Sequence, residues 1–418
     1  MPGEVKDPSL AEEGWRRIEW ARRRMPVLAK IRERFVQEQP LEGICIGMVL
    51  HVEAKTAVLV ETLVAAGASI AITGCNPLTT QDAVAAALYT LDQVNVYAWR
   101  GETTEEYYTN INRVLSHKPS VLVDDGADAI VFAHTRCSEV FENLVGATEE
   151  TTTGVRRLCA MEREGRLRIP VIDVNDARTK TLFDNRYGTG QSVIDGILRA
   201  TNVLLAGKTV VVAGYGWCGR GIARRLAGMG ARVIVCEVDP VKALEAYMDG
   251  FQVMPMRKAA KIGDLFITAT GVRDVIRREH FEQMKDGAIL ANAGHFNVEI
   301  SISDLEALTV ETREVRSCVQ EFRLVNGRRL YLLGEGRLVN LVCGDGHPIE
   351  VMDMSFANQA LSVEYLWRNR GRLEPRVYPV PKEIDEYVAR MKLQAFGVEI
   401  DELTDEQRAY ISDWQMGT

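Results

Sequence analysis

Lys208-Thr209-Val210-Val211-Val212-Ala213-Gly214-Tyr215-Gly216-Trp217-Cys218-Gly219 decides the fold. A Val-rich run ends in Gly-x-Gly-x-x-Gly, a helical stretch follows to Met229, and a second apolar run, Ala231 to Glu237, ends in a carboxylate 23 residues after Gly214. Strand, glycine turn, helix and strand in this order form a dinucleotide-binding unit. The glycines allow a tight turn and close approach of backbone to a pyrophosphate at the helix N-terminus, and Glu237 can accept from ribose hydroxyls. A carboxylate at that position favours NAD over NADP, whose 2′-phosphate it would repel. Gly207-Lys208-Thr209 is not a phosphate loop, because the earlier glycine it would need falls on Asn202.

The same alternation extends both ways. Upstream, apolar residues at helical spacing (Trp15, Ile18, Ala21, Met25, Leu28, Ile31) predict one or two helices. Strand-like runs Gly43–Leu50, Ala68–Thr73 and Ser120–Asp125 then alternate with helical runs Thr56–Ala66 and Gln81–Leu88. The first 180 or so residues therefore read as an α/β unit with a parallel sheet. Downstream, Leu265–Ala269, Ala288–Ala291 and Leu330–Leu333 are further strand candidates, Phe356–Trp367 is helical, and a Pro-punctuated stretch, Glu374 to Lys382, leads to a charged C-terminal helix. No internal repeat or low-complexity tract is visible.

The 418 residues are 46% hydrophobic and 26% charged, with a formal net charge of −8. That composition fits a globular protein of two to four domains and excludes a disordered or collagen-like chain. The negative balance argues against nucleic-acid binding, which needs a basic face, and no run of about 18 apolar residues suggests a membrane span. The eight cysteines include no Cys-x-x-Cys pair, so neither a metal site nor a redox motif is expected, and reduced thiols in a cytoplasmic protein are. Met1-Pro2-Gly3-Glu4 lacks the pattern of a signal peptide, and Arg22-Arg23-Arg24 reads as a solvated helix face.

Several fragments call for more than nicotinamide binding. Glu149-Glu150-Thr151-Thr152-Thr153-Gly154 sets three hydroxyls behind a carboxylate, and Asn175 to Asn185 gathers a lysine, carboxylates and amides. Leu50-His51-Val52-Glu53, Asp124-Asp125-Gly126, Gly294-His295-Phe296 and Gly346-His347-Pro348 add histidines and carboxylates at strand ends or in loops. Together with Cys75 to Asp82, Thr179 to Gly188 and Glu335 to Leu341, and in this order, they give the chain from about Trp15 onward a sequence that resembles the S-adenosyl-L-homocysteine hydrolase (adenosylhomocysteinase) family.

The resemblance implies a discontinuous α/β substrate-binding domain (residues 1–181 and 345–385), an inserted Rossmann NAD-binding domain (182–344) and a small C-terminal helical segment for oligomerisation (386–418). It implies reversible removal of homocysteine from a nucleoside thioether, using a tightly held NAD regenerated in each cycle, in a homo-oligomer, a tetramer by resemblance. Oxidation of the ribose 3′-hydroxyl makes C4′–H acidic, homocysteine is eliminated, water adds at C5′, and the ketone is reduced again. In the roles implied, Lys180 with Asp184 handles the 3′-hydroxyl proton, its pKa lowered by NAD⁺ and a dry site. Asp125 takes the C4′ proton, Glu150 and His295 hold ribose hydroxyls, and His51 serves the 5′ position. Thr151, Thr152, Thr153, Asn185, Gly214, Gly216, Gly219, Glu237, Asn292 and Asn340 match cofactor contacts. Glu53, Lys55, Thr56, Met352 and Phe356 match the substrate side, with His347 at the base or homocysteine end near the entrance. His117, His134 and His280 read as structural.

Two departures stand out. At Glu53 and Lys55 the better-known eukaryotic-type pattern has Thr and Glu facing the purine. A lysine only donates and a carboxylate only accepts, so Lys55 near O6 and Glu53 near N1–H would suit hypoxanthine as well as adenine. This makes S-inosyl-L-homocysteine an alternative substrate, unless the two side chains simply pair with each other. The sequence also ends at Asp413-Trp414-Gln415-Met416-Gly417-Thr418 without the Lys/Tyr tail of the eukaryotic type, which implies altered cofactor retention across a subunit interface.

Overall fold

Short runs of β-branched and apolar residues alternate with helices to build two sheets in this computed structural model, which describes residues 3–415. Met1, Pro2 and Met416 to Thr418, quoted above, lie outside the described residues. The first sheet contains β1 (Glu4–Val5), β2 (Cys45–Val49), β3 (Ser69–Thr73), β4 (Val94–Ala98), β5 (Val121–Asp124), β6 (Gly146–Glu149) and β7 (Val171–Asp173). The second contains β8 (Thr209–Ala213), β9 (Arg232–Cys236), β10 (Gln252–Val253), β11 (Leu265–Thr268), β12 (Ala288–Asn292), β13 (Thr309–Arg316), β14 (Val319–Leu324) and β15 (Arg329–Leu333), and β16 (Val377–Pro379) returns to the edge of the first.

The first sheet runs β1-β4-β3-β2-β5-β6-β7-β16 and is parallel throughout. The second runs β10-β9-β8-β11-β12-β15-β14-β13, parallel until β14 and β13 fold back antiparallel. This is the mixed α/β, Rossmann-containing class expected from the alternation. Central strands are apolar on both faces because helices cover both: Val210, Val211 and Val212 are fully buried, as are Ile46 and Met48. In each sheet the strand order reverses once beside the first strand of the unit, between β2 and β5 and between β8 and β11. A crevice opens at the carboxyl ends of such strands. His51 follows β2, Asp125 follows β5 and Gly214 follows β8.

Three elements differ from the expectation. In the antiparallel pair β13–β14, β13 is a charged, largely exposed edge, and β14, though mostly buried, interleaves Gln320, Glu321 and Arg323 with its apolar residues, so the pair carries little apolar signal. Inside the Pro-punctuated stretch, Val377 to Pro379 pairs in parallel with Val171 to Asp173, an assignment three residues cannot announce by period. The charged C-terminal helix, Lys382–Ala395, runs unbroken through residue 386, and its buried Lys392 lies 2.8 Å from the buried Asp353. The separate unit expected from 386 therefore starts inside a helix packed on the first sheet's helices. Beyond Ala395 the described residues expose Phe396, Ile400, Tyr410, Ile411 and Trp414. No helix among the described residues is long and apolar enough to cross a membrane.

Candidate active site

The chain passes from the first sheet to the second through a wide helical stretch, Thr181–Gly188, of π type. Such stretches recur at functional sites because the extra residue per turn re-aims side chains. Here it turns Lys180, Asp184 and Asn185 inward, each no more than about a tenth exposed. The Lys180 ammonium donates to Asn185 Oδ1 at 2.9 Å and Asn175 Oδ1 at 3.3 Å. Glu150 Oε1 lies 3.6 Å from it and Asp184 Oδ2 3.8 Å.

These charges decide the protonation states. Burial alone would lower the lysine, but Asp184, Glu150 and Asp125 outweigh it and hold Lys180 above its ordinary value. The lowering expected from the sequence is thus not a property of the chain's own residues. Burial pushes Glu150 up to about 8 against the pull of Lys180, with Asp184 and Asp125 adding to the rise. For Asp184 burial is overcome by Lys180 and His347, which hold the carboxyl well below the usual range. Ser355 donates to Asp184 Oδ2 at 2.8 Å, and Gln359 donates to Glu150 Oε2 at 2.6 Å. Glu150 Oε1 has no hydrogen-bond partner and stays available to a ligand.

A second cluster sits across the same cavity. Asp125 Oδ2 lies 3.4 Å from His51 Nε2, and Asp125 Oδ1 lies 3.5 Å from His295 Nδ1. His295 reaches it from the loop after β12, so this contact joins the two sheets. Burial lowers His51 to about 4, against the opposing pull of Asp125, which keeps the ring neutral at pH 7. The cavity, about 120 Å³, is bounded by both clusters and by Glu53, Lys55, Thr56, Thr151, Asn340, His347, Met352 and Phe356.

At the far end Glu53 caps the helix Ala54–Ala65, accepting from Lys55 N at 3.0 Å and Thr56 N at 3.3 Å. Lys55 Nζ lies 2.8 Å from Glu53 Oε2 and donates to Asp345 O at 2.7 Å. The two side chains therefore pair with each other. Most of the carboxylate's accepting capacity is used by the cap and the lysine, whereas the ammonium keeps one N–H. Thr56 Oγ1 donates to His51 O at 2.6 Å. His347 borders the same cavity, with its Nδ1 2.6 Å from Asp184 Oδ1 and its Nε2 3.2 Å from Thr189 Oγ1.

For the dinucleotide, the helix Trp217–Gly228 begins without a side-chain cap, leaving its first N–H groups open. A Cβ on Gly219 would sit 2.0 Å from Gly214 O, so only glycine lets that helix close on the turn, while Gly216 faces open space. Glu237, at the end of β9, accepts from Tyr215 N at 2.7 Å and Val238 N at 2.7 Å. Asn340 donates to Ser192 Oγ at 3.2 Å and leaves its buried Oδ1 without a partner. The open helix end and the unpaired amide oxygen fit a bound NAD. Thr151 borders the cavity, with Thr152 and Thr153 starting the next helix; Thr153 faces the loop after β11 at Gly271. Asn292 departs from its expected cofactor role, because its amide is spent on Gly294, Phe296, Gly336 and Thr268.

Gln359, Ser355 and Thr189 are site residues that motif reading missed. The signal for Gln359 and Ser355 is a polar stripe, Asp353, Ser355, Asn358, Gln359 and Ser362, fully buried on an otherwise apolar helix, Ile349–Arg368; Thr189, at the start of the helix Thr189–Thr201, has no such signal.

Residues 3–139 match the family described as S-adenosyl-L-homocysteine hydrolase, and residues 185–346 match its NAD binding domain. The chain belongs to the S-adenosyl-L-homocysteine hydrolase family. It is 64% identical, over 99% of its length and 100% of the relative's, to S-inosyl-L-homocysteine hydrolase of Methanocaldococcus jannaschii. It is 65% identical to the protein of the same name in Methanopyrus kandleri, over 99% of this chain and 98% of the relative. To adenosylhomocysteinase of Archaeoglobus fulgidus it is 64% identical over 97% of this chain and 100% of the relative. Membership in the S-adenosyl-L-homocysteine hydrolase family makes the chain an NAD-dependent hydrolase acting on a small nucleoside thioether.

Proposed function

We propose that this enzyme reversibly hydrolyses S-adenosyl-L-homocysteine to adenosine and L-homocysteine. The observation that carries the reading is one cavity that joins a Lys180–Glu150–Asp184 cluster, a His51–Asp125–His295 cluster and a dinucleotide cradle. NAD, held by the turn at Gly214, Gly216 and Gly219, by Glu237, Thr151, Thr152, Thr153, Asn185 and Asn340, supplies when bound the reversible oxidation of the ribose 3′-carbon that acidifies C4′–H.

The Lys180–Glu150 pair receives the 3′-hydroxyl proton. Lys180 carries a full charge, so it stabilises the 3′-oxygen as a donor, and Glu150, titrating near neutrality, is the group able to accept. Asp184 fixes the lysine's direction. Asp125 removes the proton at C4′, between two imidazoles that share its charge. His51, neutral, delivers a proton to the departing sulfur and later takes one from the attacking water. His295 and Glu150 hold ribose hydroxyls, while Met352 and Phe356, neighbours on one face of the helix Ile349–Arg368, give the base an apolar wall that excludes water. The units 1–181 with 345–385 and 182–344 close on each other about the crossings near Thr181 and Gly344, in a cytoplasmic homo-oligomer.

The inosyl thioether is a second reading. Lys55 retains one N–H that suits O6 of hypoxanthine, and S-inosyl relatives stand at the same level of identity as adenosyl ones. Adenine is served by the same donor through N1 or N7, and the Glu53 carboxylate is too engaged to receive N1–H. The test is release of free homocysteine from each thioether, without added cofactor and without net NADH. Net NADH would sink the hydrolase reading, and a ratio of kcat/KM above about 100, or about 2.7 kcal/mol, in either direction decides the base.

A further inference from the structure

Glu299 is a buried carboxylate four residues beyond His295, and it does not border the cavity. Both of its oxygens are spent on one loop, the one that follows β11. Thr270 N donates to Oε2 at 2.9 Å and to Oε1 at 3.2 Å, Thr270 Oγ1 to Oε2 at 2.6 Å, and Gly271 N to Oε1 at 2.8 Å. The main chain ties the same two segments, since Glu299 O accepts from Val275 N at 2.8 Å and from Ile276 N at 3.0 Å. On its other side the carboxylate bears on the loop that carries His295. A Cβ on Gly294 would overlap Glu299 Oε1, so only glycine fits there. Burial raises the Glu299 carboxyl, and the Thr270 and Gly271 donors oppose that rise, with the charge of Arg156 acting in the same direction as the donors. Hydrogen bonds to an ionised acceptor are the strong kind.

What this clamp holds follows from the strand order. Adjacent strands run β9, β8, β11, β12, with Glu237 after the first, the glycine turn after the second and His295 after the last. A dinucleotide laid along those carboxyl ends with its adenosine ribose at Glu237 turns its nicotinamide half to the loops after β11 and β12. The loop after β11 abuts the glycine turn, because a Cβ on Gly214 would lie 2.6 Å from Ala269 O and 3.2 Å from Thr270 Cγ2. It also meets the helix Thr152–Arg163 of the first unit, from which Arg156 Nη1 donates to Thr270 O at 3.4 Å. We propose that Glu299 is a positioning residue that sets the Thr270–Gly271 loop for the nicotinamide half of NAD and, through Gly294, sets His295 toward the substrate. An amide in its place would turn an N–H against the N–H of Thr270. The cofactor role stands on NAD binding alone; the role through His295 rests on the reaction proposed above.

Binding of nucleotides to the full-length enzyme freed of cofactor reads the clamp directly. E299Q, which keeps the side-chain volume, should bind NAD about 10–100-fold more weakly and bind ADP-ribose, which lacks the nicotinamide, as tightly as the wild type. A merely structural defect would weaken both ligands together. T270V removes one donor of the clamp and should weaken NAD in the same direction, with ADP-ribose again unchanged. The double variant E299Q/T270V should bind NAD no more weakly than E299Q, the non-additivity of groups that act through each other. Unchanged NAD affinity in E299Q, equal losses for NAD and ADP-ribose, or additive losses in the double variant overturn the proposal. Should E299Q fail to fold, T270V carries the same comparison of NAD with ADP-ribose. At saturating NAD, E299Q should also release homocysteine with a lower kcat, and an unchanged kcat overturns the role through His295 alone. The affinities need no thioether, so failure of the hydrolase assay leaves them standing.

Discussion

Glu150 and Lys180 illustrate how burial assigns chemistry that residue type does not. A carboxyl raised to about 8 by burial is protonated through neutral pH and becomes an acceptor only as pH climbs through that value. The expected kcat/KM for homocysteine release therefore rises with pH toward about 8, and E150Q removes the rise along with about 100-fold or more of the rate. Gln359 donates to Glu150 and favours its charged form. Q359M, close in volume, should shift the midpoint of the same profile upward with KM little changed, a displacement that mere loss of packing would not produce. At the other end of the cavity, K55M should cost about 10–100-fold in kcat/KM for whichever thioether is preferred, the worth of a hydrogen bond to a charged donor. His51, Glu150, Lys180 and Asp184 were all legible as candidates from their motifs. Their protonation was not, because it depends on neighbours as remote in sequence as Asp125 from Lys180.

The π stretch Thr181–Gly188 acquires its position through contact with the helix Trp217–Gly228. A Cβ on Gly221 would lie 1.8 Å from Arg186 O and one on Gly190 2.7 Å from the backbone of Gly221, so glycines alone permit this approach. G221A should push the stretch away from the helix at about 1–3 kcal/mol. The expected outcome is a lower Tm and lost homocysteine release, because Lys180 and Asp184 move together. The alternation of strands and helices was readable because buried parallel strands are continuously apolar. The helix type at 181–188 was not, since an i→i+5 turn leaves no mark in periodicity. Likewise β16 exists only because β7 offers an edge, and Asn292, which reads as a cofactor ligand beside a strand end, is consumed by the turn it supports.

At the scale of the molecule, two contacts hold distant parts together. Arg100, from the loop after β4, donates to Val342 O at 2.8 Å beside the return crossing, so the first and second sheets are latched near Gly344. R100A should free the motion of the two units, raising KM for the thioether, and small-angle scattering should register a more expanded ligand-free enzyme. Lys392 pairs with the fully buried Asp353, which also accepts from Val27 N at 3.2 Å and Leu28 N at 3.0 Å. K392M strands that carboxylate and should cost about 3–5 kcal/mol, measured as a fall in denaturant midpoint, with K392M/D353N recovering part of it. By itself the sequence determined the class of the fold, the dinucleotide turn and the set of groups able to do chemistry, because glycine turns, apolar runs and titratable side chains are local properties. Tertiary structure alone decided that His51, Cys75 and Asp125 converge at strand ends, that Glu53 and Lys55 pair rather than stand free for the base, and that Lys180 keeps its proton. Those outcomes depend on distances and desolvation between residues that the chain brings together only by folding.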